Sequence, residues 1–200
     1  WDNLSFDPDG VKEVTSQFFI KLHQAYSFLA MYANVDGFEY KEEDVPFAER
    51  PDFDRWILGE LNTLVKGVTD YLEDYDPTPA GRLIQAFVID KLSNWYIRLN
   101  KKRFWGSEMT ADKLSAYQTL YKCLDTLSRL IAPIAPFYSD RLFRDLNNVT
   151  GRCNTSVHIA NYPVFDASAI DQKLEERMDL AQKVSSMVLA LRRKASLKVR

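Results

Sequence analysis

Val14, Phe18, Leu22, Tyr26 and Ala30 recur every four residues, and a chain that spaces apolar residues this way buries them on one face of a helix. Phe19 and Leu29 widen the stripe, so the pattern predicts a first helix from about Asp9 to Ala33. Ile57, Leu61, Leu64, Val65, Val68 and Leu72 repeat the spacing in a second helix that starts at Pro51-Asp52 and is ended by Asp76-Pro77. Thr78-Pro79 reads as an N-cap followed by proline in the first turn, which opens a third helix running to about Lys101. Gly106 breaks the chain, Thr110 can cap a fourth helix, and Leu114, Tyr117, Leu120, Tyr121, Leu124 and Leu127 form its inward face. Pro133 and Pro136 interrupt the next apolar run, which places a fifth helix between Pro136 and about Asn147. A sixth spans about Asp171 to Lys194.

Helices of this length with short connections pack as a bundle. The expected fold is mainly α: five to six helices, a short extended segment, and a final helix that begins a C-terminal subdomain. Residues 1–165 would form the bundle and residues 166–200 the helix leading onward. Val157-His158-Ile159, inside the one long non-helical stretch, could be a short strand or an extended packing segment. The chain opens at Trp1 without a methionine and stops inside a basic amphipathic pattern, so it reads as a piece of something longer.

Several classes of function find no support in the residues. Only seven glycines are present and none forms a phosphate-cradling loop; no serine, histidine and carboxylate combine into a nucleophile motif. Cys123 and Cys153, with His23 and His158, are scattered and lack the spacing of a zinc site; they read as two reduced thiols in a cytosolic protein and two ordinary histidines. Asp36, Glu39, Glu42, Glu43 and Asp44 make an acidic loop whose spacing does not match a calcium site. No apolar run is long enough to cross a membrane. The net charge of −2, from 26 basic and 28 acidic residues, announces no nucleic-acid partner, so any cationic surface must be local.

One such surface is written into the third helix. Ile84, Val88, Leu92, Trp95 and Leu99 follow helical spacing as core, while Asn94, Arg98, Lys101 and Lys102 share another face, with Trp105 near it. Residues 91–105 hold five basic side chains (Lys91, Arg98, Lys101, Lys102 and Arg103) and no acidic one. Cations beside an aromatic ring at a helix end suit single-stranded RNA: lysine and arginine neutralise phosphates, a ring stacks on an unpaired base, and asparagine or arginine meets base edges. Periodicity alone leaves a second reading open, a solvated basic face with Trp105 as a packing residue. Arg192, Arg193, Lys194, Lys198 and Arg200 form another basic patch, suited to RNA or to the C-terminal helix dipole.

Leu92-Ser93-Asn94-Trp95-Tyr96-Ile97-Arg98, followed by Lys101-Lys102-Arg103-Phe104-Trp105, resembles a signature of isoleucyl-tRNA synthetases. Lys91 stands between Asp90 and Leu92, and Leu99 and Asn100 interrupt the run of basic residues that the family carries there. Other segments agree in order: Trp1-Asp2-Asn3-Leu4, Tyr32-Ala33-Asn34-Val35-Asp36-Gly37-Phe38, Asp54-Arg55-Trp56-Ile57-Leu58, Leu130 to Phe137, Ser156-Val157-His158, and Lys198-Val199-Arg200. The resemblance covers essentially the whole chain. It implies an anticodon-binding helical domain of a monomeric cytoplasmic enzyme that joins isoleucine to its tRNA using ATP and magnesium, with zinc as a further candidate cofactor. The family's catalytic motifs are absent, so the piece itself would have no catalytic residues, bind no metal or cofactor, and be inactive alone. Its partners would be the anticodon stem-loop of isoleucine tRNA and the other domains of the parent. Arg98, Lys101, Lys102 and Arg103 become candidates for phosphate or base contact, Trp105 for stacking, and Asn94 and Asn100 for reading base edges; Trp95 and Tyr96 read as structural. The alternatives are the equivalent domain of a valyl- or leucyl-tRNA synthetase, and a helical protein–protein interaction module.

Overall fold

The computed structural model describes residues 7–151 and 156–198, the side chain of Val149 excepted. Trp1-Asp2-Asn3-Leu4, Cys153, and the Val199-Arg200 end of the last basic patch lie outside the described residues.

Helices account for the architecture, in the order the apolar spacing predicts. The first rod comprises α1 (Pro8–Val14), a π-helical turn over Thr15–Phe19 and α2 (Ile20–Asp36). Asp7 caps it by accepting from the Asp9 amide. Gly37 ends it at φ +67, a left-handed position that only glycine adopts without strain. The second rod is α3 (Asp52–Glu73). The third begins with α4 (Pro77–Ala86), with Asp76 rather than Thr78 at the cap position and Pro77 in the first turn. It continues through a π-helical stretch, Phe87–Ile97, the single turn α5 (Arg98–Asn100) and a 3₁₀ turn, Lys101–Phe104. Thr110 caps α6 (Ala111–Leu130) by accepting from the Lys113 amide at 3.2 Å. After the Pro133–Pro136 corner come α7 (Pro136–Thr150) and, past an irregular segment, α8 (Gln172–Lys194), capped by Asp171.

α6 lies at the centre, packed on α2, α3 and α7, while α3 packs along α4 and the π-helical stretch. Trp56, Tyr96, Phe104 and Tyr117 are among the large side chains sealed between these rods. Phe104 meets Phe28 and Tyr117 edge-on, with ring centroids 5.0 and 4.9 Å apart. Val157-His158-Ile159 forms a 3₁₀ turn rather than a strand. The Asp140 carboxylate on α7 accepts from the Ser156 hydroxyl at 2.7 Å and the Val157 amide at 3.0 Å, which satisfies this segment locally and leaves nothing for it to pair with as a strand.

The third rod departs from the expected register. Its inward row is Ile84, Val88, Leu92, Tyr96, Asn100 and Phe104, every one buried and every step four residues. An α-helix needs about 3.6 residues per turn and would have required a three-residue step, to Trp95 and then Leu99. The i→i+5 bonding of Phe87–Ile97 takes more residues per turn, so the inward row slips by one position. Trp95 is left half-buried against the core and Leu99 is 57% exposed.

α8 touches α3, where Glu175 accepts from the Thr63 hydroxyl at 3.0 Å; its Asp179 pairs with Lys91 of the third rod, and Leu174 and Met178 pack against the core. It contains no fully buried residue, and Leu180, Val184, Met187 and Leu191 form an exposed apolar strip along it.

Candidate nucleic-acid interface

The four-residue stride that turns Tyr96, Asn100 and Phe104 inward turns Asn94, Arg98 and Lys102 outward, all exposed. Lys101 is exposed beside them, and Trp105, just past the 3₁₀ turn, is 60% exposed. Among the described residues no carboxylate pairs with Arg98, Lys101 or Lys102, whereas the neighbouring cations Lys91 and Arg103 are both paired. Three unpaired cations, an amide and an indole therefore occupy one end of the third rod, free to meet an anion and a planar base.

The other two candidates face inward. Asn100 is only 7% exposed; its amide donates to the Tyr96 carbonyl at 2.8 Å and its carbonyl oxygen accepts from Arg103 at 3.3 Å. Arg103 reaches inward to Asp54 on α3, a carboxylate with no exposed surface, through Nη1 to Oδ1 at 2.6 Å and Nη2 to Oδ2 at 2.9 Å. Asp54 also accepts from the Tyr96 hydroxyl at 2.7 Å and the Ser115 hydroxyl at 2.6 Å. On its outer side Arg103 Nε donates to Asp112 at 2.9 Å. Burial alone would ease proton loss from Arg103, but the bonds to Asp54 and Asp112 outweigh it and hold the guanidinium more firmly charged than usual. Burial, with the Asp54 charge beside it, pushes the Tyr96 phenol well above its ordinary value. This hub clamps α3, the third rod and α6 beneath the exposed face.

Lys91 also leaves the basic face. Its ammonium donates to Glu60 at 2.9 Å and to Asp179 of α8, and lies 5.9 Å from the Trp56 ring centre.

Sequence spacing did not single out Asp54, Arg50 or Lys113. Buried charges carry no periodic signal, and only the surrounding hydroxyls and carbonyls make such positions tolerable. Arg50 donates to the Val45 carbonyl, the Thr119 hydroxyl and Gln118 at 3.0, 2.7 and 3.2 Å, which pins the acidic loop to α6. Within that loop Phe38 and Tyr40 turn inward, Phe38 stacking on Tyr117 at 4.6 Å, while Glu39, Glu42, Glu43 and Asp44 are exposed. Among the described residues no three of His, Cys, Asp and Glu are grouped so as to hold a metal ion, and no helix is long and apolar enough to cross a membrane. His23 and His158 are exposed on separate elements.

Residues 54–200 match the family described as the anticodon-binding domain of tRNA ligase. The chain is similar to the isoleucine–tRNA ligase of Bacteroides thetaiotaomicron, with 63% identity over all of this chain and 17% of that protein. It is similar to the isoleucine–tRNA ligases of Porphyromonas gingivalis and Cytophaga hutchinsonii, at 60% and 54% identity, again over all of this chain and over 17% and 18% of theirs. The chain thus spans less than a fifth of the length of these relatives.

Proposed function

Because the chain belongs to the family of anticodon-binding domains of tRNA ligases, we propose that it grips the anticodon stem-loop of isoleucine tRNA on behalf of a longer, monomeric isoleucine–tRNA ligase of the cytoplasm. The observation that carries this reading is the exposed group at the end of the third rod: Arg98, Lys101 and Lys102, without carboxylate partners among the described residues, beside Asn94 and an outward Trp105. The cations neutralise loop phosphates and release their counterions. The indole stacks on a base splayed from the loop, worth about 1–3 kcal/mol. Asn94 offers a donor and an acceptor to a base edge. Asn100 and Arg103 act beneath this face, holding it in place, rather than on the RNA itself.

Ligation of isoleucine, with its ATP and magnesium, belongs in this reading to the rest of the longer enzyme, and this chain supplies the grip on tRNA. Residues 1–165 then form the binding bundle and residues 166–200 the passage to the next subdomain. The exposed strip of Leu180, Val184, Met187 and Leu191 supports that division, because an apolar helix face of this length is stable in water chiefly when something packs on it.

The test is a titration of the chain with an isoleucine-tRNA anticodon stem-loop across a salt series, beside a non-cognate stem-loop and an Arg98→Ala/Lys102→Ala variant. Tighter cognate binding that weakens with salt and is lost in the variant is the expected result. Equal binding of both loops would reduce the function to a grip on the backbone. Cognate binding unchanged in the variant would remove this face from the reading.

A further inference from the structure

Trp105 is exposed, yet the chain around it is fixed on every side. Arg103 is held by Asp54 and Asp112, and Phe104 is sealed among Phe28, Tyr32 and Tyr117. On the far side, the Gly106 carbonyl accepts from the ammonium of Lys113. Lys113 is only 2% exposed although it lies in the first turn of a helix at the rim of the bundle. Its side chain does not follow the solvent; it turns back seven residues to Gly106, and the same ammonium pairs with Asp36 at 2.6 Å. Its main-chain amide meanwhile donates to Thr110 Oγ1 at 3.2 Å. One residue thus ties both ends of the Gly106–Thr110 loop, and Asp36, which also accepts from the Tyr117 hydroxyl, anchors that tie to the end of the first rod.

A buried ammonium is costly unless it is fully engaged, and a helix needs only the Thr110 cap to begin here. The arrangement has a use if the backbone after Trp105 must not move. We propose that Lys113 is a positioning residue for RNA recognition: through the Gly106 carbonyl it holds Trp105 in its outward pose before RNA arrives, so that binding does not have to order the indole. This rests on the reading of Trp105 as the stacking residue. It adds to the exposed face a second, hidden part made of Asp36, Lys113 and Gly106.

A double-mutant cycle tests it. The anticodon stem-loop is titrated against the wild-type chain, Trp105→Ala, Lys113→Met and the combination, with far-UV circular dichroism checking that each is folded. Lys113→Met leaves Asp36 without its cation, so Asp36→Asn/Lys113→Met is measured as well, removing both charges together. The expected result is a roughly tenfold loss of affinity in both Lys113 variants. Its salt slope should match the wild type, since Arg98, Lys101 and Lys102 are untouched, and no further loss should appear when Lys113→Met is added to Trp105→Ala. A Lys113 effect that adds in full to that of Trp105→Ala, or affinity unchanged in both Lys113 variants while Trp105→Ala binds weakly, overturns the positioning role and leaves the RNA reading standing. Wild-type affinity in Trp105→Ala removes the stacking role and this inference with it.

Discussion

Arg103 and Asp54 form a two-point ion pair between the end of the third rod and the first turn of α3, with both carboxylate oxygens engaged and the carboxylate shut off from water. A charge in that position is tolerable only while its partner stays. Arg103→Ala leaves Asp54 with two hydroxyl donors and no cation, which costs about 3–5 kcal/mol. Urea unfolding should show the midpoint falling with little change in slope. A loss under about 1 kcal/mol would mean that water reaches the carboxylate and the pair is not buried in solution.

The outward cations should behave in the opposite way. Arg98→Ala, Lys101→Ala and Lys102→Ala remove side chains that are exposed and, among the described residues, hold no carboxylate, so each should shift stability by no more than about 0.5 kcal/mol. Each that meets a phosphate should lower the salt slope of stem-loop binding by about 0.7–0.9. A variant that loses affinity with an unchanged slope contacts a base or acts indirectly. One that loses stability has been misplaced on the surface.

Asp36 gives the fold a defined acid sensitivity. Burial acts to raise its carboxyl, but the bonds from Lys113 and Tyr117 outweigh it and hold the group below the ordinary carboxylate range. A depressed carboxylate binds its proton less readily folded than unfolded. Its contribution is therefore present above the unfolded value of about 3.9 and is lost as pH falls through the lower folded value. Unfolding free energy measured from pH 5 down to pH 2 should decline less steeply in Asp36→Asn, which starts lower at pH 7. A parallel decline in both proteins would show that Asp36 does not titrate in this window.

Cys123 sits wholly inside the bundle, and burial, reinforced by the Asp54 charge, pushes its thiol far above the range in which a thiolate forms. In a Cys153→Ser background an aromatic disulfide reagent at pH 8 should therefore label nothing until denaturant is added, then label one thiol. Prompt labelling of the folded protein would show that α6 opens locally.

Much of this was readable in the amino-acid order. The stripes from Val14 to Ala30 and from Ile57 to Leu72 mark α1–α2 and α3, because their apolar residues repeat with the helical period. Thr110 and the Pro133–Pro136 corner bound α6 and α7 through capping and backbone chemistry that act locally. The resemblance around Leu92 to Trp105 led to the family that residues 54–200 match. What could not be read was long-range. Asp54 and Lys113 look like surface charges until α3, α6 and the end of the third rod close around them. Five basic residues in 91–105 look like one patch until Lys91 turns to Glu60 and Arg103 to Asp54. The π-helical stretch leaves no mark in a search for α-helical spacing, although the four-residue row from Ile84 through Tyr96 to Phe104 was there to be counted.

That register is itself open to test. If the third rod were α-helical throughout, Trp95 and Leu99 would point inward and Tyr96 and Asn100 outward. In the π-helical register Leu99 is exposed, while the Tyr96 hydroxyl is spent on Asp54 and Asn100 spans Tyr96 and Arg103. Leu99→Gln should then change unfolding free energy by no more than about 0.5 kcal/mol, whereas Tyr96→Phe and Asn100→Ala should each cost about 1–3 kcal/mol by stripping bonds from a buried network. The α-helical register predicts the reverse order: a large loss for Leu99→Gln, which would bury an amide, and near silence for Tyr96→Phe. The order of the three costs decides between the registers, and with it whether Tyr96 and Asn100 belong to the buried network beneath the proposed grip on RNA.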